Sequence, residues 1–137
     1  MEKQILFPMI FYVFYIWCLA LLNFRTRLGA IKSKKMPMQF FKSYQGDASE
    51  RVVVVGRHYD HQFELPTVFL ILCVAHFAMK NVDQITLILA WLFVASRLGH
   101  SFEHLGKNRI MKRVRWFATG WLMILGLAGQ LFYFALN

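Results

Sequence analysis

SRLGHSFEHLGKNRIMKR (96–113) and, upstream of it, GRHYDHQFELP (56–66) carry Arg, His and Glu at helical spacing directly beside long apolar runs. A charged group at membrane depth is costly to hold, so such residues mark a functional region. The runs beside them decide the fold. Crossing a bilayer takes roughly 20 helical residues, and the apolar candidates are 5–23, 65–79, 85–96 and 116–136. The middle two are short alone and reach spanning length only if their helices continue through the polar motifs. The spans then run about 5–23, 58–79, 84–104 and 114–136, with a basic loop over about 24–57. Period-2 alternation is missing, which argues against a barrel. The expected fold is all-α, a four-helix integral membrane bundle forming one domain over 1–137.

Composition agrees with that reading. With 58% hydrophobic and 17% aromatic residues, the 137-residue chain is too apolar for a soluble domain. Its net charge of +9 is gathered at one end of the spans. Arg25, Arg27, Lys32, Lys34, Lys35, Lys42, Arg51 and Arg57 separate spans one and two, and Lys107, Arg109, Lys112, Arg113 and Arg115 separate spans three and four. The opposite end has Lys3 and Lys80. Cationic loops stay in the cytoplasm, which puts both termini in the periplasm of a bacterial inner membrane. A charge confined to one membrane face, with no reader motif around it, gives no reason to expect nucleic acid. The first apolar run is too long for a signal peptide, lacks a small-residue cleavage site and is followed by Arg25 and Arg27, so it reads as a retained span. Cys18 and Cys73 lie within spans and form no CxxC, so neither a disulfide nor redox work is expected.

Arg57, His61 and Glu64 stand at i, i+4 and i+7, and Arg97, His100 and His104 at i, i+3 and i+7. Each set makes one helical stripe. If a short turn over 80–83 makes spans two and three antiparallel neighbours, the stripes share a depth and Glu64 can pair with Arg97. The plainer reading of that pair is a structural interhelical contact. Arg57 and Arg113 keep no acid of their own, which favours an anionic ligand. Pro66 should bend span two at the level of its stripe. Gln62 should satisfy a neighbouring backbone group. Trp91, Trp116, Trp121 and Tyr133 fit interface anchors.

These motifs resemble the MAPEG family, the membrane-associated proteins in eicosanoid and glutathione metabolism. That pattern runs Arg-x-x-x-Asn-x-x-Glu at the start of the second helix and Arg-x-x-His/Tyr-x-x-x-Tyr near the end of the third, then a basic turn and an Arg opening the fourth. The chain has Arg57, His61 and Glu64, then Arg97, His100 and His104, then Arg113. The resemblance extends over its whole length, towards the microsomal glutathione transferase and prostaglandin E synthase branches. It implies a homotrimer with glutathione held between subunits near the cytoplasmic face, and a lipophilic second substrate arriving from the lipid. By the same resemblance, Arg57, His61, Glu64, Arg97, His100 and His104 bind the cofactor, and Arg113 is the catalytic group that stabilises its thiolate. Glutathione carries two carboxylates and an ammonium, which suit three Arg and one Glu. His61 in place of Asn, His104 in place of Tyr and Phe117 in place of a further Tyr mark a divergent, bacterial-type branch.

Two other readings compete with a glutathione-dependent transferase or peroxidase. His58, His61, His100 and His104, with Asp60, Glu64 and Glu103, offer ligands for zinc or non-haem iron, but the converging Arg residues oppose a metal, so none is assigned. A non-catalytic membrane protein binding lipid or a partner through its basic loops would need only the cationic segments.

Overall fold

The computed structural model describes residues 1–136. Four helical stretches are long and apolar enough to cross a membrane: Glu2–Lys32, Glu50–Ala78, Gln84–Leu105 and Ile110–Leu136. The first is a 3-10 turn, Glu2–Ile5, running into α1, Leu6–Lys32. The second is divided into α3, Glu50–Asp60, and α4, Leu65–Ala78, by a 3-10 turn at His61–Phe63. The third and fourth are α5, Gln84–Leu105, and α6, Ile110–Leu136. A single short turn of helix, α2, Phe40–Ser43, punctuates the linker between α1 and α3. Among the described residues there is no strand, and the chain is an all-α four-helix membrane protein.

Helix continues further into the basic segment than hydropathy indicates. Apolar content ends near Asn23, yet α1 persists to Lys32, and α3 already starts at Glu50. Backbone hydrogen bonds propagate a helix past the point where its side chains stop being apolar. The irregular linker therefore shrinks to 33–49, pinned by a small cluster of Ala30, Met36, Phe40 and Val52.

Span two breaks at Pro66. A proline has no N–H and clashes with the preceding turn, so it is tolerated at the beginning of a helix. Here it is the second residue of α4, and Glu64 before it leaves helical geometry at φ −92°, ψ −101°. The polar motif thus occupies α3 and the turn, not one continuous helix.

The main core is a stack of rings where α1, α4 and α5 meet. Phe69 and Phe93 lie nearly parallel with centroids 4.2 Å apart, and Tyr12 closes on both at about 6 Å. Ile124 and Leu127 bring α6 into this core. Small residues allow α6 to approach closely. A Cβ on Gly99 would sit 2.6 Å from the Trp116 ring, and one on Gly120 would meet Ser96 Oγ at 3.2 Å. Much of the remaining apolar surface faces outward, including Phe7, Phe14 and Trp17 on α1 and Leu122, Leu125 and Phe132 on α6. Such a surface needs lipid or a neighbouring subunit against it.

Candidate functional site

At the end of the bundle that carries the basic segments, α1, α3 and α5 enclose a polar interior. His58, Arg97, His100, Ser101 and His104 are all buried there, with Gln62 from the break. Their contacts form one chain. The Tyr12 hydroxyl donates to Gln62 Oε1 at 2.6 Å, and Gln62 Nε2 donates to the His58 carbonyl at 2.7 Å. His58 Nε2 lies 2.8 Å from Ser101 Oγ, which donates to the Arg97 carbonyl at 2.9 Å and also bonds the Tyr15 hydroxyl. His58 Nδ1 faces His104 Nδ1 at 3.2 Å. Helical repeat explains the convergence, because Arg97, His100, Ser101 and His104 occupy one face of α5.

Arg97 is fully buried, and none of its three guanidinium nitrogens meets a hydrogen-bond partner among the described residues. The Phe117 ring lies 5.9 Å from its guanidinium carbon, and the Tyr12 and Tyr15 phenols lie within reach of its charge. The expected pair with Glu64 does not form within the chain. Glu64, swung off the stripe by the break before Pro66, is exposed and meets His61 Nδ1 at 3.0 Å. His100 Nε2 and Arg113 Nε are likewise buried without partners.

Arg113 stands in the first turn of α6, where its Nη1 donates to Asn108 Oδ1 at 2.7 Å. Its carbonyl lies 3.2 Å from His100 Nδ1. A cavity of about 200 Å³, lined by His61, His100, Arg113, Val114 and Phe117, opens beside this contact. Arg57 lies elsewhere. It lines a cavity of about 370 Å³ with Arg27, Tyr44 and Asp60, between α1, the linker and α3. Arg27 is held there by Asn23 Oδ1 at 3.2 Å and by the flanking rings of Phe41 and Tyr44. Just beyond α5, Arg109 makes a two-pronged bond to Glu103, which raises its pKa above the ordinary guanidinium value.

The structure therefore gathers His61, Arg97, His100, His104 and Arg113, and leaves Arg57 and Glu64 on outer faces of the chain. His58, Ser101, Tyr12 and Tyr15 belong to the same interior but escape the stripe argument. His58 is one position from Arg57 and belongs to a different helix face, while the two Tyr on α1 read as apolar-span aromatics.

A model of the MAPEG family matches residues 5–133, nearly the entire chain. The chain belongs to the MAPEG family. No curated protein matches it. As a MAPEG member it is an integral membrane protein of the family associated with glutathione and eicosanoid metabolism. The orphaned guanidinium donors of Arg97 and Arg113 have the chemistry to meet an anion.

Proposed function

We propose that this MAPEG protein is a membrane-bound, glutathione-dependent transferase or peroxidase acting on a lipophilic electrophile or lipid hydroperoxide. The observation that carries the reading is Arg97, a buried guanidinium that meets no acid and no hydrogen-bond partner among the described residues, with the Tyr12 and Tyr15 phenols near its charge. Such a charge is strongly unfavourable unless an anion completes it, and a carboxylate is the natural match for the guanidinium fork.

A bound glutathione supplies a thiol nucleophile. Arg97 holds one of its carboxylates. Arg113 stabilises negative charge on sulfur. Its position in the first turn of α6 adds the partial positive charge of a helix N-terminus. Together these lower a thiol pKa from about 8.5 towards neutrality. Arg113 acts electrostatically and takes no proton. In a homotrimer, Arg57 and Glu64 complete the site from the outer faces, where the ligand lies between subunits, and His61 lines the inner cavity beside Arg113. The apolar outer surfaces of α1 and α6 fit both that assembly and a substrate delivered from lipid. The proposed setting is a bacterial inner membrane, with the basic linker and the α5–α6 turn cytoplasmic and the termini periplasmic.

The test is near-ultraviolet difference absorbance of glutathione mixed with the detergent-purified protein. A thiolate band at neutral pH that Arg113→Ala abolishes supports the reading. Thiolate absorbance no greater than that of free glutathione overturns it.

A further inference from the structure

The three imidazoles of His58, His100 and His104 present one ring nitrogen each within 4.8 Å of one another, all three side chains being buried. We infer that this triad is a transition-metal site, a three-histidine zinc centre with one open coordination position, inside the helical bundle.

The His58–His104 contact is the first support. Zinc binds imidazole nitrogen at about 2.0–2.1 Å, so two ligands on a tetrahedral ion lie about 3.3–3.4 Å apart. His58 Nδ1 and His104 Nδ1 are 3.2 Å apart, so an ion could join them with little movement. Joining the third ring requires its nitrogen to close in by up to about 1.5 Å from the 4.8 Å limit, a shift that side-chain rotation has to supply.

The outer contacts supply the second support. Metal-binding histidines are oriented by a hydrogen bond from the ring's other nitrogen. Ser101 spends its proton on the Arg97 carbonyl and Gln62 Nε2, 3.4 Å from His58 Nε2, donates to the His58 carbonyl, so Ser101 Oγ at 2.8 Å accepts from His58 Nε2–H and His58 Nδ1 keeps a lone pair aimed at the centre. His100 Nδ1–H donates to the Arg113 carbonyl, leaving His100 Nε2 buried and without a partner. Both rings are thus set as neutral ligands before any ion arrives.

Arg97 and Arg113 oppose a bare dication, and an anion in the open position lessens that opposition. Hydroxide, chloride or a thiolate on the ion neutralises part of its charge and is itself drawn to the guanidiniums. Imidazole donors suit zinc, copper, iron and nickel, and three neutral nitrogens with a free fourth position match the arrangement of catalytic zinc. The inference is independent of glutathione.

The experiment is titration of chelator-stripped, detergent-purified protein with cobalt(II), without glutathione, followed by displacement with zinc(II). The expected result is one equivalent of cobalt with the intense visible bands of tetrahedral coordination, bleached by zinc. His104→Tyr and His58→Gln, each checked for retained helix content and elution volume, should lose those bands. Ser101→Ala should keep them with affinity weakened about 10- to 100-fold, as for loss of an orienting partner. Wild-type protein that develops no tetrahedral bands, or bands that persist undiminished in both histidine variants, would overturn the assignment.

Discussion

Arg97 concentrates the energetic tension of this molecule in one side chain. A guanidinium buried without acceptors destabilises the unliganded protein, and replacing buried ionic groups by apolar ones of similar size often raises stability by about 1–4 kcal/mol. Arg97→Met should therefore leave the thermal midpoint of the empty protein unchanged or higher, while losing the stabilisation that millimolar glutathione gives wild type. Differential scanning fluorimetry in detergent, with and without glutathione, reads both. A lower midpoint for the empty variant would mean that Arg97 is satisfied within the chain. At the opposite end of the bundle, Asp83 caps α5, accepting from Thr86 N–H at 2.8 Å and Thr86 Oγ1 at 2.7 Å. Those bonds hold its carboxyl below the ordinary carboxylate value. Its contribution is then fully present above the unfolded pKa of about 3.9 and fades as pH falls through the lower native value. Asp83→Asn, which preserves the cap, should remove that part of the acid dependence; Asp83→Ala should cost about 1 kcal/mol at neutral pH. Thermal midpoints between about pH 2 and pH 7, which span the carboxylate titration in both the folded and the unfolded chain, check both variants.

Close approach between α5 and α6 depends on Gly99. Its missing Cβ leaves room for the Trp116 ring, which a methyl group would meet at 2.6 Å, whereas nothing lies within 4 Å of the Cβ position of Gly129. Gly99→Ala should destabilise by about 1–3 kcal/mol through overpacking, and Gly129→Ala should be neutral or gain up to about 1 kcal/mol of helix propensity. Resistance to unfolding by a denaturing detergent compares the two. Trp116 thus packs against α5 with one part of its ring while staying partly exposed. The same contrast shows what elements a sequence reveals. Length, apolar content and charge placement indicate four spans and the helical α5 stripe, because 3.6-residue periodicity survives in Arg97, His100 and His104. The second stripe fails at Glu64. Pro66 was expected to bend a continuous helix, and instead it begins a new one, turning Glu64 outward to His61. His58 joins the interior through the path of α3 across α5, a tertiary fact that spacing along one segment does not encode.

For the whole molecule, the decisive asymmetry is charge at one end and apolar surface around the sides. On a Cys18→Ser background, cysteines placed at Lys34 and Lys107 should be shielded from a membrane-impermeant maleimide in intact cells, and one at Lys80 should be labelled. The reverse pattern would invert the proposed orientation. Assembly follows the same logic, since the proposed homotrimer would cover part of the outward apolar surface.

Calorimetric titration of glutathione into the detergent-purified protein, beside Arg97→Met and Arg113→Ala, tests the central claim most directly. Saturable binding, with affinity reduced at least about tenfold in each variant (about 1.4 kcal/mol), is the predicted result. No binding at millimolar glutathione, or wild-type affinity retained in both variants, would contradict a thiol-cofactor site built on these two arginines.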